Sequence, residues 1–203
     1  MAKIIDSKLD QIKNLYYKDL LSARQIGEKL NVSIDAVYYF LRRHHIERRN
    51  LSEQNAATFS HKPLSFCLKK CSCAKDEELK LLGVILYWGE GYKAGETIDF
   101  ANSDTEMIKA FLNFLRKICG IREDRLRVYM YCYSNQHPVA LIKYWSNVTK
   151  IPAKQFTKPY VRQDYQLGKE GKMRYGLIHI RYNDKKLWQV IMGWMEEYKT
   201  KYA

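Results

Sequence analysis

LLGVILYWGEG, residues 81–91, is the stretch on which the reading of the chain turns. Asp76, Glu77 and Glu78 precede it, and acidic side chains favour a helix N-terminus because its unpaired N–H groups point at them. Gly83, Leu86, Tyr87 and Glu90 then recur at helical spacing on one face. Gly91 suits the end of a helix. The stretch predicts an apolar helix that carries a single carboxylate, Glu90, at its C-terminal end.

Downstream, 97–101 reads as a short strand and 104–119 as an amphipathic helix, with Met107, Ile108, Phe111, Leu112, Leu115 and Ile118 inward. RLRVYMYCY, residues 125–133, alternates. Arg125, Arg127, Tyr129, Tyr131 and Tyr133 share one pleat face, and Leu126, Val128, Met130 and Cys132 the other. Residues 139–148 read as a helix. GLIHIRYN, 176–183, alternates again, with His179, Arg181 and Asn183 opposite Ile178, Ile180 and Tyr182. A last helix is predicted over 185–199. Arg, Tyr, His and Asn above a buried face can hydrogen-bond base edges and phosphates; a plain solvated sheet face is the alternative. Residues 150–174 add Lys150, Lys154, Lys158, Arg162, Lys169, Lys172 and Arg174, interleaved with Phe156, Tyr160 and Tyr165. Basic and aromatic residues together suit phosphate contact and base stacking.

Upstream, Leu9, Ile12, Leu15 and Tyr16 recur at helical spacing. Ser22 is a suitable N-cap for a short helix over 23–30, and Ser33 for another over 34–43. Between them Asn31 tolerates the left-handed conformation a tight turn needs. Gly27 is small where two helices must approach. Ile26, Leu30, Val32, Val37 and Leu41 are expected inward; Ser33, Asp35, Ala36, Tyr38, Tyr39, Arg42 and Arg43 are left outward. Such a helix can enter a major groove, with Arg42, Arg43, Arg48 and Arg49 meeting phosphates and Asp35 accepting from a cytosine amino group. The stretch 47–75 keeps no period and reads as a connector with a short helix near 51–58. The expected organisation is a domain over 1–50, a linker over 51–75 and a second domain over 76–203.

Composition supports a polyanionic partner. The 203 residues carry a formal charge of +13. Residues 1–62 hold 11 Lys/Arg against 7 Asp/Glu, and residues 63–203 hold 24 against 15, so both parts are basic. No apolar run approaches the roughly 18 residues that span a bilayer, and charges interrupt the N-terminal MAKIIDSKLD, unlike a signal peptide. A soluble, cytoplasmic protein with no membrane partner is expected, nucleoid-associated if the source is bacterial. The five cysteines are odd in number, and Cys67, Cys71 and Cys73 cluster in a C-x3-C-x-C spacing that is not a usual zinc pattern. Reduced thiols are expected; a structural zinc completed by His61 or His137 is the alternative.

Residues 7–46 resemble the helix-turn-helix of recombinases and transcription regulators, with Asn31 where that family often has Gly. LLGVILYWGEG, the strand after it and FANSDTEMIKAFLNFL (100–115) resemble the LAGLIDADG homing-endonuclease superfamily. That resemblance implies an α+β fold: a three-helix helix-turn-helix followed by an αββαββα domain whose curved antiparallel sheet faces the DNA major groove. It also implies that the motif helix packs against a second copy of itself and that its final acid binds divalent metal at the scissile phosphates. Glu90 matches that acid, Gly91 the glycine after it and Gly89 the small residue before it. Ile85 stands where the motif usually has Gly, and Trp88 where an acid is frequent. The expectation is a double-stranded DNA-binding regulator, similar to regulators in which such a scaffold is joined to a helix-turn-helix and no longer cuts. The alternative is a Mg2+-dependent homodimeric endonuclease that uses Glu90, dimerising through the 77–91 helix, with Lys158, Lys172 or Arg181 as helpers; Mg2+ is needed only in that case. RNA binding is a third reading.

Overall fold

The chain is of mixed α and β structure and divides into two units, residues 1–63, whose described elements are helical, and 64–203, which holds the strands. This computed structural model describes residue 4 and residues 6–163 and 173–202. Tyr165, Lys169 and Lys172 of the basic stretch lie outside the described residues.

In the first unit α1 (Leu9–Lys13) runs on through a π-helical turn at Asn14–Lys18. α2 (Ala23–Leu30) starts at a capping box: Ser22 Oγ accepts from the Gln25 N–H at 3.2 Å, and the Gln25 side chain accepts from the Ser22 N–H at 2.9 Å. Asn31 ends it with φ 54° and ψ 47°. A Cβ on Gly27 would lie 2.8 Å from the Val32 carbonyl oxygen, so the turn can fold back on α2 only over a glycine. Ser33 Oγ accepts from the Ala36 N–H at 3.2 Å and opens α3 (Ile34–Arg43). Ile26, Val37 and Leu41 are buried as expected, while Leu30 and Val32 are half-buried at the edge. Ile12, Phe40 and Tyr16 complete the core. A second capping box, Asn50 with Glu53, starts α4 (Leu51–His61), the short helix expected near 51–58, extended by three residues.

The second unit runs α5 (Ala74–Glu90), β1 (Ile98–Asn102), α6 (Thr105–Lys117), β2 (Leu126–Tyr133), α7 (Pro138–Thr149), β3 (Tyr160–Arg162), β4 (Leu177–Tyr182) and α8 (Lys185–Tyr202). The sheet order is β1-β4-β2-β3. β4 pairs antiparallel with β1 and β2, but β3 is parallel to β2. This corrects the expected αββαββα order and its wholly antiparallel sheet. Only one strand separates α5 from α6, because the second is reduced to a bridge between Gly91 and Phe100. α7 is the crossover that a parallel pair requires.

Ile98, Phe100, Leu126, Val128, Met130, Cys132, Ile178, Ile180 and Tyr182 form the buried sheet face, and the helices pack on it. Phe111 of α6 stacks on Phe100 at 4.2 Å. Gly83 of α5 sits directly on Phe114: an added Cβ would lie 2.0 Å from its Cγ. Gly91 is the C-cap of α5, as expected, with an extended backbone, φ −78° and ψ 148°. Glycine is needed there because a Cβ would lie 2.3 Å from the Tyr87 ring. Residues 64–69, expected to be linker, dock on this unit. Ser65 Oγ donates to Asp184 Oδ2 at 2.5 Å, its carbonyl accepts from the Tyr182 hydroxyl, and the Cys67 N–H donates to the Gly120 carbonyl at 3.0 Å. Among the described residues no helix is long and apolar enough to cross a membrane.

Candidate nucleic-acid interface

The helices pack on one face of the sheet, and on the other the strand register sorts the described side chains into rows. Asp99, Arg181 and Arg127 lie opposite one another on β1, β4 and β2. The next row is Ala101, His179 and Tyr129. Leu177, Tyr131 and Tyr160 follow, then Tyr133 beside Arg162. The rows interlock diagonally. The Arg181 guanidinium lies over the Tyr129 ring at 4.1 Å, and the Tyr131 ring is 5.1 Å from His179 and 5.4 Å from Tyr160. In β2 and β4 period-two alternation produces this separation: Arg127, Tyr129, Tyr131, His179 and Arg181 each sit between two inward apolar residues.

The end of the sheet nearest the start of β2 is the most cationic. Arg125 precedes β2 in a 3-10 turn rather than in the strand, donates to the Asn183 carbonyl at 2.6 Å and lies 3.5 Å from Asp184. Asn183, just past β4, accepts from the Thr97 hydroxyl at 3.2 Å. Arg125, Arg127, Arg181 and Asn183 line one cavity of about 370 Å³ with Tyr129. Arg127 spends Nη1 on the Asp124 and Leu126 carbonyls and pairs with no carboxylate among the described residues.

Asp99 was not foreseen. It is only 7 % exposed. Its Oδ1 meets His179 Nδ1 at 2.8 Å, and its Oδ2 accepts from Arg181 Nε at 2.6 Å. Burial alone would raise its pKa, but the His179 and Arg181 contacts outweigh burial and hold the carboxyl below its ordinary value. Burial likewise opposes the charge on Arg181, and Asp99 reverses the effect, raising the guanidinium's pKa. The one available signal was Asp99's place in IDFAN, an outward position between inward Ile98 and Phe100; its partners follow only from the β1–β4 register.

The first unit carries its own polar face on α3. Asp35, Tyr39, Arg42 and Arg43 are exposed, and Ala36 and Tyr38 half-buried. Ser33 is engaged as the cap of α3. Arg43 pairs with Asp6 at 3.1 Å, and Arg48 lies 4.5 Å over the Tyr38 ring. Arg49 does not join them: its guanidinium donates to the Leu20 and Leu21 carbonyls and covers Tyr16 at 4.2 Å, pinning the unit internally. Lys158 is exposed in the turn before β3, outside the paired rows.

Glu90, the last residue of α5, is exposed. The carbonyls on either side of it, of Trp88 and Gly91, both accept from the Lys93 ammonium, at 2.8 and 2.6 Å. Among the described residues no group of three or more His, Cys, Asp and Glu side chains comes together to hold a metal ion. Magnesium takes near-octahedral oxygen coordination, and at this position one chain offers the single carboxylate of Glu90. Within the second unit Cys67, Cys71 and Cys73 likewise form no metal group with His137 among the described residues; Cys119 is buried and its thiol pushed up by desolvation.

Comparison with protein-family models, curated proteins and solved structures returns no match.

Proposed function

We propose that the chain is a sequence-specific double-stranded DNA-binding protein of regulatory type, in which α2, the Asn31 turn and α3 act as a helix-turn-helix and the open sheet of a LAGLIDADG-like domain supplies a second reading surface. The observation that carries this is the sheet face away from the helices, where arginines, tyrosines and a histidine stand in register above a closed apolar core. Side chains of these types supply the donors, forks and stacking planes used on base edges and phosphates. The excess of 35 Lys/Arg over 22 Asp/Glu supplies the long-range attraction. Two modules on one chain reach an affinity neither has alone, because the second contact is intramolecular.

The reading includes a homodimer through α5. Leu82, Ile85 and Trp88 are 45, 49 and 40 % exposed along that helix, and a second copy would cover them. Sedimentation tests this: the wild type sediments as a dimer and Ile85→Glu as a monomer.

The endonuclease alternative is supported by the exposure of Glu90 at the end of the same helix. Selection of binding sites from a randomised duplex library, run with Mg2+ and with EDTA, separates the two. The regulatory reading expects an enriched sequence and intact DNA in both arms. Specific, Mg2+-dependent double-strand cuts that vanish in Glu90→Gln would overturn it, and enrichment of no sequence would overturn DNA reading altogether.

A further inference from the structure

We infer that Asp99 is a positioning residue that makes Arg181 a reader of guanine in the major groove, an inference that rests on the DNA-binding reading above. The Arg181 side chain is held twice. Its Nε donates to Asp99 Oδ2 at 2.6 Å, and its guanidinium lies over the Tyr129 ring at 4.1 Å. One contact fixes where the group sits and the other fixes its plane. With Nε taken, no carbonyl and no other carboxylate among the described residues engages the two Nη nitrogens; the Tyr129 side chain also hydrogen-bonds the guanidinium, and the arginine remains 35 % exposed. A planar two-donor fork matches the paired O6 and N7 acceptors of guanine. Holding it in place before binding removes the ordering cost of a long side chain.

A phosphate also offers two acceptors to a fork, and charge decides between them. Asp99 is ionised and cancels the charge of Arg181, so the pair suits the neutral edge of a base. Arg127, in the same row with no carboxylate partner among the described residues, keeps its charge and suits the phosphate. His179, on the other oxygen of Asp99, stiffens the carboxylate from the second side.

The test uses the full chain and a duplex selected from a randomised library, with each guanine replaced in turn by 7-deazaguanine, which lacks only the N7 acceptor. The wild type is expected to lose about 5- to 150-fold in affinity at one guanine, the discrimination a bidentate contact supplies. Asp99→Asn is expected to bind the parent duplex while responding less than about 3-fold to the same replacement. A carboxylate that only stabilised the fold would weaken binding to all duplexes alike and leave the N7 response intact. Because Asp99 is buried, Arg181→Lys is the second variant: its ammonium keeps the ion pair and the charge but lacks the fork, so it unfolds at the wild-type temperature and has lost the N7 response. An unfolded Asp99→Asn leaves the decision to Arg181→Lys. A wild type indifferent to every 7-deazaguanine, or a folded variant of either kind with the full response, overturns the inference. A wild type that selects no duplex at all sinks the DNA-binding reading, and this inference with it.

Discussion

Gly83→Ala adds one methyl to the most crowded point in the second unit. The new carbon would sit 2.0 Å from Phe114 Cγ and 2.4 and 2.5 Å from its two Cδ atoms. To reach ordinary contact at 3.4 Å, helix and ring must part by about 1.4 Å. Phe114 cannot swing away, because it is fully buried with Phe111 at 5.9 Å and Trp194 at 6.2 Å. Overpacking of this kind costs about 1–3 kcal/mol, and rigid neighbours put this site near 3. Alanine returns about 1 kcal/mol through its helix propensity. The net loss is about 2 kcal/mol, or about 8 °C for a unit of this size. Gly89→Ala, on the same helix with nothing within 4 Å of its added Cβ, gains the propensity without the clash, so it should stabilise by about 0.5–1 kcal/mol. All four tryptophans, 88, 145, 188 and 194, lie in the second unit, so urea unfolding followed by tryptophan fluorescence measures that unit. If both variants shift the midpoint in the same direction, the packing of α5 on α6 argued above is wrong.

Asp99 predicts an acid dependence with a definite sign. Its folded pKa lies below the ordinary 3.8, so the stability it contributes is complete above that value and is lost as pH falls through the lower, folded one. The gap between wild type and Asp99→Asn in urea midpoint should be widest at neutral pH and narrow toward pH 3; a constant gap would show the carboxylate is not the source. Tyr87, whose burial pushes its pKa up to about 12, donates to the Tyr92 carbonyl at 2.6 Å. Tyr87→Phe leaves that acceptor unserved and should cost about 1 kcal/mol in the same assay. Arg127→Ala should lower the slope of log affinity against log salt by about 1, the signature of one lost phosphate contact; an unchanged slope would remove Arg127 from the backbone.

How far the sequence could be read depended on the distance over which each feature is determined. β2 was legible because RLRVYMYCY states its own two faces, and α3 because Ser33 and the spacing of Val37 and Leu41 are local signals. β3 was not, since a three-residue strand has no period and its parallel direction is imposed by α7. Gly91 was legible as the end of α5, but the demand for a glycine there comes from the Tyr87 ring folded over it, which no local signal announces. In the basic run after α3, sequence could not separate exposed Arg48 from Arg49, whose guanidinium closes on carbonyls nearly 30 residues away. Asp99 belongs to the same class, an ordinary residue until the strand beside it is known.

The two-sided carboxylate has an evolutionary corollary. His179 and Arg181 draw on one acceptor, so substitutions at the two are not additive. Remove either, and the other inherits an ion pair of different strength and a different resting pose. On the DNA-binding proposal, a lineage that changes the letter read at one position therefore alters its neighbour at the same step. Successful changes of target should arrive as linked substitutions at 99, 179 and 181.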